Sequence, residues 1–104
     1  MELKDLSKRA IEIRAKYAAL EKEKYGRAWT TSDVAQGFVG DVGDLMKLVQ
    51  AKEGIREVEN LDRRLAHELS DCLWSVLVLA KEYKIDLEAA FLETMDELDE
   101  KLRT

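Results

Sequence analysis

Apolar residues recur at intervals of three and four along most of the chain, which is the spacing of one face of an α-helix. The clearest stripe predicts a first helix that ends near Gly26 and consists of Leu3, Leu6, Ala10, Ile13, Tyr17 and Leu20. Similar stripes and end signals predict three more helices, from about Asp33 to Gly54, from a cap at Asn60 to about Lys84, and from a cap at Asp86 onward. We therefore expect an all-α fold, a domain resembling a four-helix bundle.

The start of the second helix has several candidate caps. Asp33 is followed three residues later by Gln36, which resembles a capping box, and Thr31 or Ser32 are alternative caps. The preceding loop, residues 27–32, contains Trp29, which can hold the loop to the helices or line a ligand slot. We keep both roles for Trp29 open.

The third predicted helix is apolar on nearly every side between Cys72 and Ala80. A helix that is hydrophobic all round has to be buried all round, and four helices of a small domain do not easily enclose one of their own. We therefore expect this helix to be central and the chain to assemble into a dimer or a dimer of dimers. Trp74 fits either an interface anchor or a filler of the monomer core.

Length and composition narrow the class of protein. With 104 residues, 46% apolar and 38% charged, and no proline, residues 1–104 suit one helical domain. The net charge of −5 argues against a nucleic-acid partner, which needs a basic patch. The single cysteine, the lack of a recognisable signal at the start and the short apolar runs predict a cytoplasmic protein with no membrane partner.

Two pairs of acidic residues with the same spacing are the strongest candidate for chemistry. Asp41 and Asp44 form the first pair, and Glu68 and Asp71 form the second. Residues three apart share a helix face, so each pair can present two carboxylates at one place. These faces also carry large apolar residues, and nearby sequence offers no matching set of Lys or Arg. The pattern favours a site for a hard divalent cation such as Mg²⁺ over a solvated acidic face.

Three glycines lie beside the first acid pair, at positions 37, 40 and 43 of the second helix. Each costs about 1 kcal/mol relative to alanine in a helix interior, so their accumulation needs a reason. Close approach of a neighbouring helix is one explanation, and space for a ligand beside the carboxylates is the other. Both stay open, and packing is slightly favoured.

The order of these motifs resembles a known family. The chain reads Gly40-Asp41-x-x-Asp44-Leu45, then Glu68-Leu69-x-Asp71, then an apolar helix, then Ile85-Asp86-Leu87-Glu88-Ala89-Ala90. Over roughly residues 33–98 this is similar to the MazG-like branch of the all-α nucleoside triphosphate pyrophosphohydrolases.

The resemblance implies an enzyme that hydrolyses (deoxy)nucleoside triphosphates to the monophosphate and pyrophosphate, as housecleaning of the nucleotide pool. It implies Mg²⁺ as the cofactor, with Mn²⁺ as a substitute, and a homodimer or homotetramer. The family's metal-binding and catalytic carboxylates correspond to Asp41, Asp44, Glu68 and Asp71. Trp29 and Phe38 are our candidates for binding the base of the substrate.

The sequence also departs from the family pattern. Both acids of the first pair are Asp where the family usually has the longer Glu, and Gly40 replaces a further Glu. The last helix reads Thr94-Met95-Asp96-Glu97-Leu98, without the Lys and Asn that many members use for phosphate contacts. An alternative is therefore a non-catalytic module of the same fold that binds metal or nucleotide. Related activities with another base pocket, such as dimeric dUTPase or phosphoribosyl-ATP pyrophosphohydrolase, use the same acids.

Overall fold

The computed structural model describes residues 1–103, which form four helices and no strand. They are α1 (Leu3–Tyr25), α2 (Thr31–Lys52), α3 (Leu61–Glu82) and α4 (Leu87–Leu102). The all-α prediction is confirmed. Within residues 1–103, no helix has the length and apolar character needed to cross a membrane.

Most helix ends lie where the sequence places them. Gly26 follows α1 with φ of 79°, a left-handed conformation that favours glycine, and its N–H donates to the carbonyl of Lys22. Asp86 caps α4 by accepting a hydrogen bond from the Ala89 N–H at 3.1 Å. Asn60 precedes α3 as expected, but it has φ of 54° and its side chain makes no capping hydrogen bond.

The predicted cap of α2 is wrong by one to three residues. Thr30 is the cap, and its hydroxyl accepts from the Asp33 N–H at 3.2 Å. Asp33 lies three residues into the motif, where its carboxylate accepts from the Thr30 N–H at 2.9 Å. Aspartate thus occupies the place usually held by Glu or Gln in a capping box, which is why Asp33 itself looks like a cap.

Helix α3 is the centre of the molecule, as its apolar sequence predicts. It packs most closely against α2 and also against α1. The core consists of Ala10, Val34, Leu77 and Val78. Trp74 belongs to this packing: its indole N–H donates to the Ala10 carbonyl at 3.1 Å, and its ring meets Tyr17 edge-on. The structure therefore supports the core role of Trp74.

A buried ion pair fixes the connection between α1 and α2. The guanidinium of Arg14 makes two hydrogen bonds of 3.1 Å with the carboxylate of Glu21, and both side chains are nearly inaccessible. Trp29 is held on both sides, because its N–H donates to Glu21 at 2.7 Å and its carbonyl accepts from Arg14 at 3.0 Å. The loop is thus anchored through its backbone.

Helix α4 contributes no buried residue. Leu87 packs against the core, but the apolar residues farther along α4 are exposed, at 57% for Phe91 and 46% for Leu98. The radius of gyration is 16.6 Å, against about 13 Å for a compact domain of roughly 100 residues. The four helices thus form an extended molecule with three packed helices and one lightly packed helix.

Candidate metal-binding site

Three of the four predicted acids come together between α2 and α3. Asp41, Asp44 and Glu68 each present a carboxylate oxygen such that the three oxygens all lie within 4.8 Å of one another. The three-residue spacing in α2 puts Asp41 and Asp44 on one face, and Leu48, one turn beyond Asp44, is buried against the rest of the fold. The site therefore lies at the edge of the closest helix pair, where side chains reach both protein and solvent.

The fourth acid, Asp71, lies close to this group but makes a different contact. Its carboxylate is 3.3 Å from Nε2 of His67, one turn earlier on α3. The negative charge of Asp71 still acts on the group, because it helps to raise the pKa of Glu68.

The group is electrostatically strained. Burial raises the pKa of Glu68, and the negative charges of Asp41, Asp71 and Asp44 raise it further. Among residues 1–103, no Lys or Arg comes within 4 Å of the carboxylates of Asp41, Asp44 or Glu68. The carboxylates therefore lack a neutralising partner in the part of the chain that the structure describes.

A cleft that sequence reasoning missed opens beside the acids. Its volume is about 530 Å³, and Asp44 and Glu68 share its walls with Lys47, Arg56 and Arg64. A signal for two of these cations exists in the sequence, since Lys47 follows Asp44 by three residues and Arg64 precedes Glu68 by four. The position of Arg56 depends on the fold of the connection between α2 and α3.

Comparison with known proteins decides the family. A family model described as the MazG nucleotide pyrophosphohydrolase domain matches residues 45–103, more than half of the chain. The chain belongs to the MazG family. The matched part of this MazG domain includes Glu68 and Asp71 and begins immediately after Asp44. No curated protein and no solved structure matched the chain.

The donor set of this MazG protein fits a hard divalent cation. Carboxylate oxygens are the ligands that Mg²⁺ prefers, and Mg²⁺ commonly binds through a few carboxylates together with waters and substrate phosphates. Asp41, Asp44 and Glu68 supply three such oxygens from two helices. A cation would also relieve their mutual repulsion. The half-buried thiol of Cys72 is less suitable, because burial and the acids Asp41, Glu68 and Asp71 raise its pKa and keep it protonated.

The two aromatic candidates for base binding precede the acids in the sequence, Trp29 in the loop before α2 and Phe38 in α2 itself. The ring of Trp29 lies over Gly37, where an added Cβ would be 3.2 Å from the ring. Gly37 lies one turn before Asp41 on the same face of α2, so the ring covers the turn of the helix that precedes the candidate site. Phe38 is half-buried in the same turn.

The glycine cluster divides into two cases. At Gly37 the close neighbour is the loop residue Trp29, and no neighbouring helix is involved. At Gly40 and Gly43, an added Cβ would meet no atom of the described residues within 4 Å. Helix packing within the chain therefore explains neither of these two glycines, and open space beside Asp41 and Asp44 agrees with the ligand interpretation.

Proposed function

We propose that this MazG protein catalyses the Mg²⁺-dependent hydrolysis of (deoxy)nucleoside triphosphates to the monophosphate and pyrophosphate. The observation that carries the proposal is the group of three carboxylate oxygens within 4.8 Å, contributed by two helices and without a cationic partner in residues 1–103. Such an activity would suit the removal of unwanted nucleotides from the cellular pool.

The chain's own residues have two tasks in this proposal. Asp41, Asp44 and Glu68 hold the metal, and Asp71 adds negative charge beside them. When bound, Mg²⁺ supplies positive charge that offsets the charge of the phosphates and lowers the pKa of water. The ring of Trp29 and the side chain of Phe38 offer apolar surface for the base.

The decisive experiment measures pyrophosphate release from a panel of ribo- and deoxynucleoside triphosphates, with Mg²⁺, with Mn²⁺ and with a chelator. We expect release that requires the metal and differs between bases. The monophosphate should appear in a one-to-one ratio with pyrophosphate. Release of inorganic phosphate alone would contradict the proposed cleavage position.

A binding module without turnover is the second candidate. It is favoured by the short aspartate side chains at positions 41 and 44, which also lie just outside the segment that matches the family model. The double variant Asp41→Glu/Asp44→Glu separates the two functions. If this variant releases pyrophosphate while the parent binds metal and nucleotide but is inactive, the parent is a binding module.

We also propose a homo-oligomer, either a dimer or a tetramer. The accessible surface is 8309 Å², whereas a folded monomer of this mass exposes about 6,000 Å². The excess is larger than the roughly 800 Å² that each partner buries in an interface of standard size. Residues 1–104 would act as one domain in this assembly, and the lone cysteine favours a reducing, cytoplasmic location.

A further inference from the structure

The proposed function leaves three positive side chains beside the acids without a role. Lys47 of α2, Arg56 of the α2–α3 connection and Arg64 of α3 line the cleft that Asp44 and Glu68 also line. We propose that this cleft is a phosphate subsite, in which the three cations bind oxygens of the substrate's triphosphate chain. This inference rests on the proposed function, because it assigns the substrate's phosphates to a particular side of the acids.

The positions of the cations give the subsite a direction. Lys47 lies one turn after Asp44 on α2, and Arg64 lies one turn before Glu68 on α3. Both turns lead toward residues 53–60, which connect the two helices and contain Arg56. All three cations therefore lie on the same side of the acids, the side of the connection, and Trp29 lies near the opposite end of α2.

The three cations are available to a ligand. Within residues 1–103, none of them forms an ion pair within 4 Å. Arg56 is nevertheless positioned, because its Nε–H donates to the Gln50 side-chain oxygen at 3.1 Å and this bond leaves the outer guanidinium nitrogens unused. A guanidinium held in this way suits two-point binding of phosphate oxygens.

The charges on the rest of the site favour such a subsite. A triphosphate is strongly negative, and the acids alone would repel it. Residues 87–100 of α4 contain no Lys or Arg and several acids, so this part of the last helix cannot supply the cations. Glu57 also lines the cleft, and its negative charge opposes phosphate binding. The three cations outnumber it and give the cleft wall beyond the acids a net positive charge.

The test uses inorganic tripolyphosphate as a probe, since it has the phosphates but no base. Its affinity for the full chain in the presence of Mg²⁺ is measured by calorimetry, and the affinity for Mg²⁺ alone is measured separately. Arg56→Gln and Arg64→Gln should each weaken tripolyphosphate binding by about tenfold or more, the scale of one charge-assisted hydrogen bond. The affinity for Mg²⁺ alone should be unchanged or higher, because a positive charge beside the carboxylates has been removed.

Two further variants control the result. Arg63→Gln removes an exposed cation next to Arg64 in the sequence that does not line the cleft, so tripolyphosphate affinity should equal that of the parent. Glu57→Gln removes the opposing charge and should tighten binding.

The outcomes separate this inference from the proposed function. If the parent binds Mg²⁺ and tripolyphosphate but the Arg56 and Arg64 variants bind both as the parent does, the subsite is overturned and the proposed function stands. If these variants lose Mg²⁺ affinity as well, the arginines maintain the shape of the site and the subsite is again overturned. A parent that binds neither probe overturns both proposals.

Discussion

At the scale of residues, the proposed chemistry of this protein depends on carboxylates that have no cationic partner within 4 Å among residues 1–103. A lone acid on a helix surface costs little, but here Asp41, Asp44 and Glu68 meet while Asp71 lies close by. Burial and mutual repulsion raise the pKa of Glu68, so its ionised form at neutral pH weakens the metal-free fold. The clustered carboxylates therefore destabilise the metal-free fold, and a bound divalent cation would offset this destabilisation.

Neutralising the acids tests this interpretation. Asp41→Asn, Asp44→Asn, Glu68→Gln and Asp71→Asn should each reduce Mg²⁺-dependent pyrophosphate release by about a hundredfold or more, the scale of losing a group that organises the metal or stabilises charge. Glu93→Gln, on the exposed surface of α4, is the control and should leave release unchanged. Parental metal affinity in all four neutralised variants would show that the site lies elsewhere.

The same Glu68→Gln variant has an opposite effect on the metal-free protein. Removing one of the clustered charges should raise the free energy of unfolding by on the order of 0.5 kcal/mol, a typical value for partly exposed charge pairs. Thermal unfolding with a chelator measures this gain. With Mg²⁺ the order should reverse, because a ligand that binds only the native state stabilises the parent more. A destabilised metal-free variant would argue that Glu68 serves the fold.

At the scale of elements, backbone capping and one buried ion pair determine how α1 passes into α2. Arg14 and Glu21 lie seven residues apart on α1, and both bond the backbone of Trp29. Burial raises the pKa of Glu21, but the hydrogen bonds from the Trp29 N–H and from Arg14 outweigh burial and lower the pKa overall. The same contacts place the Trp29 ring over Gly37, so they connect the loop to the candidate base-binding surface.

Breaking this ion pair should lower the free energy of unfolding by an amount that depends on pH. Glu21→Gln leaves Arg14 buried without a counter-charge and should lower the free energy of unfolding by about 3 kcal/mol. The pKa of Glu21 lies below its ordinary value of 4.5 in the folded protein. The stabilisation is therefore complete above that value and is lost as pH falls through the lowered pKa. Denaturant unfolding between pH 7 and pH 3 should show a steeper loss for the parent than for the variant.

Helix α1 also supplies the control for that experiment. Arg9 and Glu12 form an ion pair of the same kind at 3.2 Å, but their side chains are 64% and 50% exposed. Glu12→Gln should change the free energy of unfolding by less than about 0.5 kcal/mol. Equal effects at positions 12 and 21 would contradict the importance of burial.

The glycines of α2 allow a second prediction about the stability of a helix. Gly40→Ala should raise the free energy of unfolding by about 0.5–1 kcal/mol, because alanine is the better helix former and the space around the new Cβ is open. Gly37→Ala should gain less, since the Trp29 ring has to move. Thermal unfolding compares the two. A Gly40→Ala protein that is more stable but binds nucleotide poorly would support a ligand role for the bare backbone.

At the scale of the whole molecule, the chain exposes more surface than a monomer of its mass should. Helices α1 and α2 pack against α3, and α4 buries no residue. Its exposed apolar stripe, together with exposed Leu69 and Leu73 of the central helix, leaves apolar faces that a second copy can cover.

Light scattering tests the assembly. At micromolar concentration the protein should have the mass of a dimer or a tetramer, and Phe91→Asp combined with Leu98→Asp should shift it toward monomer. Both side chains are about half exposed in the isolated chain, so the substitutions should not disturb the packing of α1, α2 and α3. A parent that is monomeric under these conditions would contradict the assembly.

The sequence by itself determined the four helices, the central position of α3 and the identity of the acid pairs. These features follow from local rules, since the apolar period, glycine after a helix and Asp86 as a cap depend on neighbours along the chain. Even the one wrong prediction of a cap, for α2, stays within a single capping box, in which Thr30 is the cap and Asp33 is its partner three residues later. The spacing of three could show that Asp41 and Asp44 share a face, but it could not show what that face meets.

Only the tertiary structure decided which groups meet across helices. It brought Asp41 and Asp44 against Glu68, and it paired Arg14 and Glu21 around the backbone of Trp29. The cations of the adjacent cleft were overlooked for the same reason, since Arg56 lies twelve residues from Asp44 and reaches the cleft through the fold of the connection. Contacts of this kind depend on how helices pack and connect, and helical periodicity carries no information about the partner that a face will find.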